Sequence, residues 1–157
     1  MTEAEQLFEQ VYRTYGPSLY RFCLIQMKNP ADAEDAAQTA MLRLWQSGQA
    51  FPDDDQLRYW LVRVTVNVCK DACRSPWRRR MVPLDHCREP AFDTPEHQTL
   101  YAEVMALPAK YRLPLYLYYY EGYAVAEVGE LLGLKPSTVQ TRLARAREKL
   151  KAQLKEE

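Results

Sequence analysis

Residues 122–150, GYAVAEVGELLGLKPSTVQTRLARAREKL, decide how the chain is read. Val139, Leu143, Ala146, Leu150 and Leu154 recur at steps of three and four, which sets one face of a helix on a core. Arg142, Arg145, Arg147, Lys149 and Lys151 crowd the rest of that helix. Pro136 suits a first helical position, where its missing N–H costs nothing. Gly133 closes a shorter helix, Val125 to Leu132. A short helix, a tight turn with glycine and a basic amphipathic helix predict a helix-turn-helix whose second helix enters a major groove.

The charge pattern extends this reading. The 157 residues carry no formal net charge, with 21 basic and 21 acidic side chains. Zero net charge argues against a nucleic-acid binder, but the charges are segregated. Residues 1–56 and 82–135 are acidic, whereas residues 57–81 and 136–157 are basic. Two basic blocks between acidic ones predict two contacts with DNA, the acidic surfaces facing protein or solvent.

Elsewhere the apolar spacing is helical, so the expected class is all-α: two small helical domains joined by a flexible linker. Residues 2–15 read as a helix capped by Thr2, with Leu7, Phe8, Val11 and Tyr15 inward. Gly16-Pro17 reads as a break, with a second helix from Ser18 to about Lys28. Asn29-Pro30 opens a third, with Ala33, Ala37, Met41 and Leu44 on its inner face. Residues 47–56 read as a loop, and a fourth helix runs from about Leu57 to Arg74. Arg63, Asn67, Lys70 and Arg74 form one polar stripe along it. Residues 82–99, with three prolines and no periodicity, read as the linker between domains 1–81 and 100–157. Helices are expected at about 97–106 and 109–120. Six of the eleven tyrosines lie between Tyr111 and Tyr123, and they are expected mainly in the core and between helices.

No catalytic constellation is apparent. The five glycines are scattered, so no phosphate-cradling loop is formed, and both histidines, His86 and His97, fall in the linker. Asp53, Asp54 and Asp55 are expected to solubilise a loop rather than hold a metal. Cys23, Cys69, Cys73 and Cys87 lack a CxxC spacing and read as reduced thiols packing as small hydrophobes. The expectation is no enzyme, no cofactor and no metal. The acidic N-terminus MTEAEQLFEQ is not the pattern of a signal peptide, and no apolar run is long enough to span a bilayer. The expected location is the cytoplasm.

Several segments, in order, resemble the extracytoplasmic-function group of bacterial RNA polymerase sigma factors. They are YGPSLYRF at 15–22, DAEDAAQTAMLRLW at 32–45, WLVRVTVNVCKDACR at 60–74, ALPAKYRLPLYLYYYEGYAVAEVGELLGL at 106–134 and STVQTRLARAREKL at 137–150. The resemblance implies a first domain that binds core polymerase and the −10 promoter element, and a second that reads the −35 element. It implies that Asp35, Gln38, Leu42 and Trp45 meet the polymerase. It places Phe51 and Asn67 by a base flipped from the −10 element, a step that costs a few kcal/mol of unstacking. Arg58, Arg63, Lys70, Arg74, Arg78, Arg79 and Arg80 would hold the DNA backbone. Gln140, Thr141, Ala144 and Arg145 would read −35 bases, with Thr138 and Arg142 nearer the phosphates. The implied partners are core polymerase at its clamp and flap, promoter DNA and an anti-sigma protein, with no small-molecule substrate and no membrane insertion. The chain departs from the family pattern at Thr39, where Glu is commonest, and at Gln140, where a basic residue is frequent. Lys135 and Ala124 stand where Ser often caps a helix.

Rival readings are a stand-alone helix-turn-helix regulator, an RNA-binding module and a sigma-like protein that binds partners without promoter activity. The first leaves the basic helix at 57–81 and the acidic docking helix unexplained. The second calls for a basic aromatic sheet or an arginine-rich arm, of which only Arg78 to Arg80 give a hint.

Overall fold

In the computed structural model, residues 2–74 and 95–155 are described. Helices are α1 (Glu3–Met27), α2 (Pro30–Ser47), α3 (Asp54–Arg74), α4 (Pro95–Met105), α5 (Ala109–Leu115), α6 (Val125–Leu132) and α7 (Pro136–Lys155), with a π-helical turn at Tyr116–Tyr120. No strand occurs among the described residues. The chain divides into two compact units, Met1–Pro90 and Ala91–Glu157.

In the first unit α1, α2 and α3 pack on one another. Thr2 accepts from the Glu5 N–H at 3.1 Å and the Glu5 carboxylate accepts from the Thr2 N–H at 3.1 Å, a complete capping box. The helix does not break at Gly16-Pro17, as the sequence reading expects. It runs through Pro17 to Met27. Proline inside a helix removes one hydrogen bond and costs roughly 3 kcal/mol. The opposing term is burial: Leu19, Tyr20, Phe22, Cys23, Leu24 and Ile25 are all buried just beyond the proline. Each such large side chain contributes about 1.5–3 kcal/mol when fully buried, so packing outweighs the local cost. Leu7, expected inside, is 63% exposed, while Phe8, Val11 and Tyr15 pack against the core.

Asn29 caps α2 by accepting from the Asp32 N–H at 3.1 Å, with Pro30 following at the start of the helix. Its inner face is small: Ala33, Ala36, Ala37 and Ala40 are buried with Met41. Helix α3 begins at Asp54, three residues before the expected start. Asp53 accepts from the Gln56 N–H at 2.8 Å, and Asp54 and Asp55 fill the first turn. The acidic run is therefore a helix cap with two charges on the positive helix end, not a loop.

In the second unit α4, α5 and α6 pack against α7. Helix α4 starts at Pro95, inside the expected linker, because a first-position proline is pre-organised for a helix. Gln153 ties the end of α7 back to α4, donating to the Glu103 carboxylate at 3.0 Å. The expected single helix over 109–120 is instead α5 and a π-helical turn. There the Glu121 N–H reaches back five residues to the Tyr116 carbonyl at 3.1 Å. The buried stripe of α7 holds at Val139, Leu143 and Ala146 but ends before Leu154, which is 48% exposed. Arg78, Arg79, Arg80, His86, Cys87 and most of the expected linker lie outside the described residues.

Candidate nucleic-acid interface

The turn between α6 and α7 is set by two glycines. Gly133 ends α6 with φ +71°, a conformation that side chains with a Cβ rarely adopt. Gly129, inside α6, lets the chain fold back so closely that a Cβ there would stand 2.6 Å from the Leu134 carbonyl oxygen. Ala124, before α6, has no side-chain acceptor. Glu127 supplies half of a capping box, accepting from the Ala124 N–H at 3.0 Å.

This turn sets α7 with Val139, Leu143 and Ala146 inward, and the opposite face is open. Gln140, Thr141, Ala144 and Arg145 are exposed, and Thr138 and Arg142 are half-buried at its flank. All six residues expected to meet DNA therefore share one surface at the N-terminal half of the helix. The Thr141 hydroxyl donates to the Ser137 carbonyl at 3.0 Å, leaving its methyl group and lone pairs outward-facing chemistry for a base edge.

Helix α5 adds residues that the sequence reading missed. A groove is lined by Lys110 and Tyr111 from α5 and by Ser137, Thr138, Thr141, Arg142 and Arg145 from α7. The Lys110 ammonium lies 5.1 Å from the Tyr111 ring centre and the Lys149 ammonium 5.5 Å. Burial tends to raise the Tyr111 phenol, but Lys110 and a hydrogen bond from Arg145 outweigh it, so the phenol sits below its ordinary range. Lys110 is a solitary cation in an acidic stretch of sequence, and no spacing rule joins it to α7.

Farther along α7, the Arg147 side chain donates to the Tyr119 hydroxyl and lies 5.5 Å from its ring centre. The tyrosine cluster splits accordingly. Tyr111, Tyr116 and Tyr123 are buried, while Tyr119 and Tyr120 are exposed, against the expectation of a mainly interior role.

The first unit presents two further surfaces. Asp35, Gln38, Leu42 and Trp45 are all exposed along one side of α2. Leu42 is 53% exposed and Trp45 44%, with the Trp45 ring edge-on to Phe8 at 5.1 Å. Asp35, Gln38 and Leu42 line a groove with Phe8 and Tyr12 of α1, and Thr39 lines it too. On α3, Arg63, Asn67 and Lys70 are exposed and Arg58 is half-buried. Phe51 is half-buried, its ring 5.7 Å from that of Trp60. Trp60 precedes Asn67 by seven residues, about two helical turns, and so shares its face. Nothing is described of the Arg74 side chain.

Cys23 and Cys69 are buried in the first core, and Cys73 is exposed. The described residues contain no group of three His, Cys, Asp or Glu side chains placed to hold a metal. No described helix is long and apolar enough to cross a membrane.

Residues 11–79 match the Sigma-70 region 2 family and residues 97–150 the Sigma-70, region 4 family, one in each unit. The ECF RNA polymerase sigma factor SigM of Mycobacterium tuberculosis is 32% identical over 146 residues, covering 91% of this chain and 74% of the relative. The chain belongs to the extracytoplasmic-function sigma factors. SigW of Bacillus subtilis, of the same group, is 26% identical over 176 residues, covering 97% of this chain and 91% of SigW. The solved structure of the sigma factor RpoE from Bartonella quintana, in complex with the anti-sigma factor NepR, superposes with a TM-score of 0.73. It is 20% identical and covers 94% of this chain and 96% of that one. CnrH, in complex with the cytosolic domain of CnrY, gives a TM-score of 0.65 at 23% identity, covering 98% and 90%. These two likenesses concern the fold. As a sigma factor, this chain serves promoter recognition by RNA polymerase.

Proposed function

We propose that the sigma factor divides its work among three surfaces. The exposed side of α2, with Asp35, Gln38, Leu42 and Trp45, docks on core polymerase. The stripe of α3, with Arg58, Arg63, Asn67, Lys70 and Arg74, takes the −10 element together with Phe51, and Arg78 to Arg80 extend its charge. The outer face of α7 takes the −35 element, with Gln140, Thr141, Ala144 and Arg145 at the bases and Thr138 and Arg142 at the phosphates. The observation that carries this reading is the open face of α7, exposed opposite a fully buried stripe.

The chemistry is binding without a covalent step. Glutamine pairs bidentately with adenine and arginine with guanine, whereas each neutralised phosphate adds affinity that salt removes. The site of action is the cytoplasm, with the polymerase. An anti-sigma protein that covers the apolar side of α2 would silence the factor by competing with the polymerase.

The test is transcription in vitro with purified core polymerase on a randomised promoter library, sequencing the transcripts. Discrete starts sharing two motifs, lost or altered with Asn67→Ala and Arg145→Ala, support the assignment. Core binding without transcripts would favour a partner-only protein. Absence of both core binding and transcripts would overturn the proposal.

A further inference from the structure

The groove between α5 and α7 gathers charge in a way that the base-reading face alone does not need. Lys110, Arg142 and Arg145 line it, Lys149 approaches the same tyrosine ring, and no acid is among the lining residues. Cations held this close repel one another unless an anion lies between them. The hydroxyls of Ser137, Thr138 and Thr141 complete the lining. Tyr111 occupies the centre, 7% exposed, with ammonium groups near its ring and its hydroxyl joined to Arg145.

We infer that Tyr111 is a positioning residue for Arg145 and that Lys110 seats a phosphate of the DNA strand beside the base that Arg145 reads. This rests on the assignment of α7 to the −35 element. A guanidinium has five N–H donors in a planar fork. A phenol that occupies one side of the fork leaves another side for a base edge and fixes the plane in which it is offered. A long exposed side chain on a helix otherwise samples many rotamers, and a fixed plane discriminates better among base edges. The lysines contribute in two ways. They hold the ring by cation–π attraction, and Lys110 brings a positive charge from a second helix to the wall of the groove. The two roles are separable because phosphate contacts carry no sequence information, whereas base contacts do.

The experiment uses holoenzyme made from the full chain and core polymerase, on a library randomised across the −35 element. Four proteins are compared: the parent, Arg145→Ala, Tyr111→Phe and Lys110→Ala. Tyr111→Phe keeps the ring and removes only the hydroxyl, and Lys110 is exposed, so thermal melts matching the parent are expected of both. Arg145→Ala should erase the preference at one base position. Tyr111→Phe should weaken the preference at that same position by about fivefold, the low end of what one bidentate base contact is worth, and leave other positions unchanged. Lys110→Ala should lower binding to all sequences alike and reduce the slope of log affinity against log salt by about 0.9. If Arg145→Ala changes one position while Tyr111→Phe and Lys110→Ala match the parent, the inference falls and the −35 assignment stands. If Arg145→Ala changes no position, the −35 assignment itself falls. A Tyr111→Phe effect spread over all positions with a lowered melt would reduce Tyr111 to a packing residue and overturn its positioning role.

Discussion

The carbonyl oxygen of Leu134 stands 2.6 Å from where a Cβ on Gly129 would lie, and the Leu134 N–H donates to the Gly129 carbonyl at 2.8 Å. The turn of the helix-turn-helix is thus closed on a glycine in the middle of α6. Alanine there would gain up to about 1 kcal/mol of helix propensity. It would also force a backbone carbonyl to move, and overpacking of this kind costs about 1–3 kcal/mol. Gly129→Ala should therefore lower the thermal midpoint of the protein while leaving core-polymerase binding through the first unit intact. A midpoint equal to or above the parent's would mean that the turn is looser than this contact implies.

Ala124 gives the opposite case. Its backbone is already in the extended conformation of a cap and Glu127 already accepts its N–H, so only the side-chain oxygen is missing. Ala124→Ser should complete the box and stabilise α6 by about 1 kcal/mol. For a unit of this size that is a rise of about 4–8 °C in midpoint, readable by calorimetry. No rise would show that the cap is compensated elsewhere in the turn.

Leu42 is half exposed on the side of α2 assigned to the polymerase. An exposed leucine contributes little to folding, so Leu42→Ala should change stability by no more than about 0.5 kcal/mol. At the centre of an interface the same truncation costs about 1–2 kcal/mol, a five- to thirtyfold loss of affinity for core polymerase. A competition assay against a second sigma factor measures it. Unchanged affinity with unchanged folding would remove Leu42 from the docking surface.

The buried thiols predict a pH response. A hydrogen bond to Cys69, and then burial, push the Cys23 thiol well above its usual range. A free thiol in the unfolded chain ionises near pH 8.5. Below that pH both states hold the proton and this group adds no slope. Above it the unfolded chain loses the proton first, so stability falls as pH rises toward the folded value. In a Cys87→Ser background at pH 8, alkylation followed by mass spectrometry should mark exposed Cys73 well before Cys23 or Cys69. Equal rates at Cys23 and Cys73 would contradict the burial.

How much of this was readable in advance depends on the range of the forces involved. The stripe at Val139, Leu143 and Ala146, the cap at Asn29 and the αL glycine at Gly133 follow from local periodicity and local hydrogen bonding. The passage of α1 through Pro17 did not, because the burial that offsets it comes from α2 and α3. The start of α3 was misplaced for a different reason. Three consecutive aspartates look like loop composition, yet Asp53 is a cap and the next two sit on the helix dipole. In the candidate interface, the residues on α7 are legible from their spacing on one helix. Lys110 and Tyr111 are not, because they reach the groove from α5 through tertiary packing.

The π-helical turn at Tyr116–Tyr120 has a consequence for insertions and deletions. It holds one residue more than an α-helical repeat would use, so the direction in which the chain leaves α5 is set by counting residues. Deleting one residue from this turn would advance everything after it by about 100° around the helix axis, the angle of one α-helical step. Related sequences with a residue fewer here would aim the same recognition helix at a different azimuth, although each base-reading side chain were kept. Chain length at this point thus acts as a dial on DNA approach, separate from the identity of the residues that touch it.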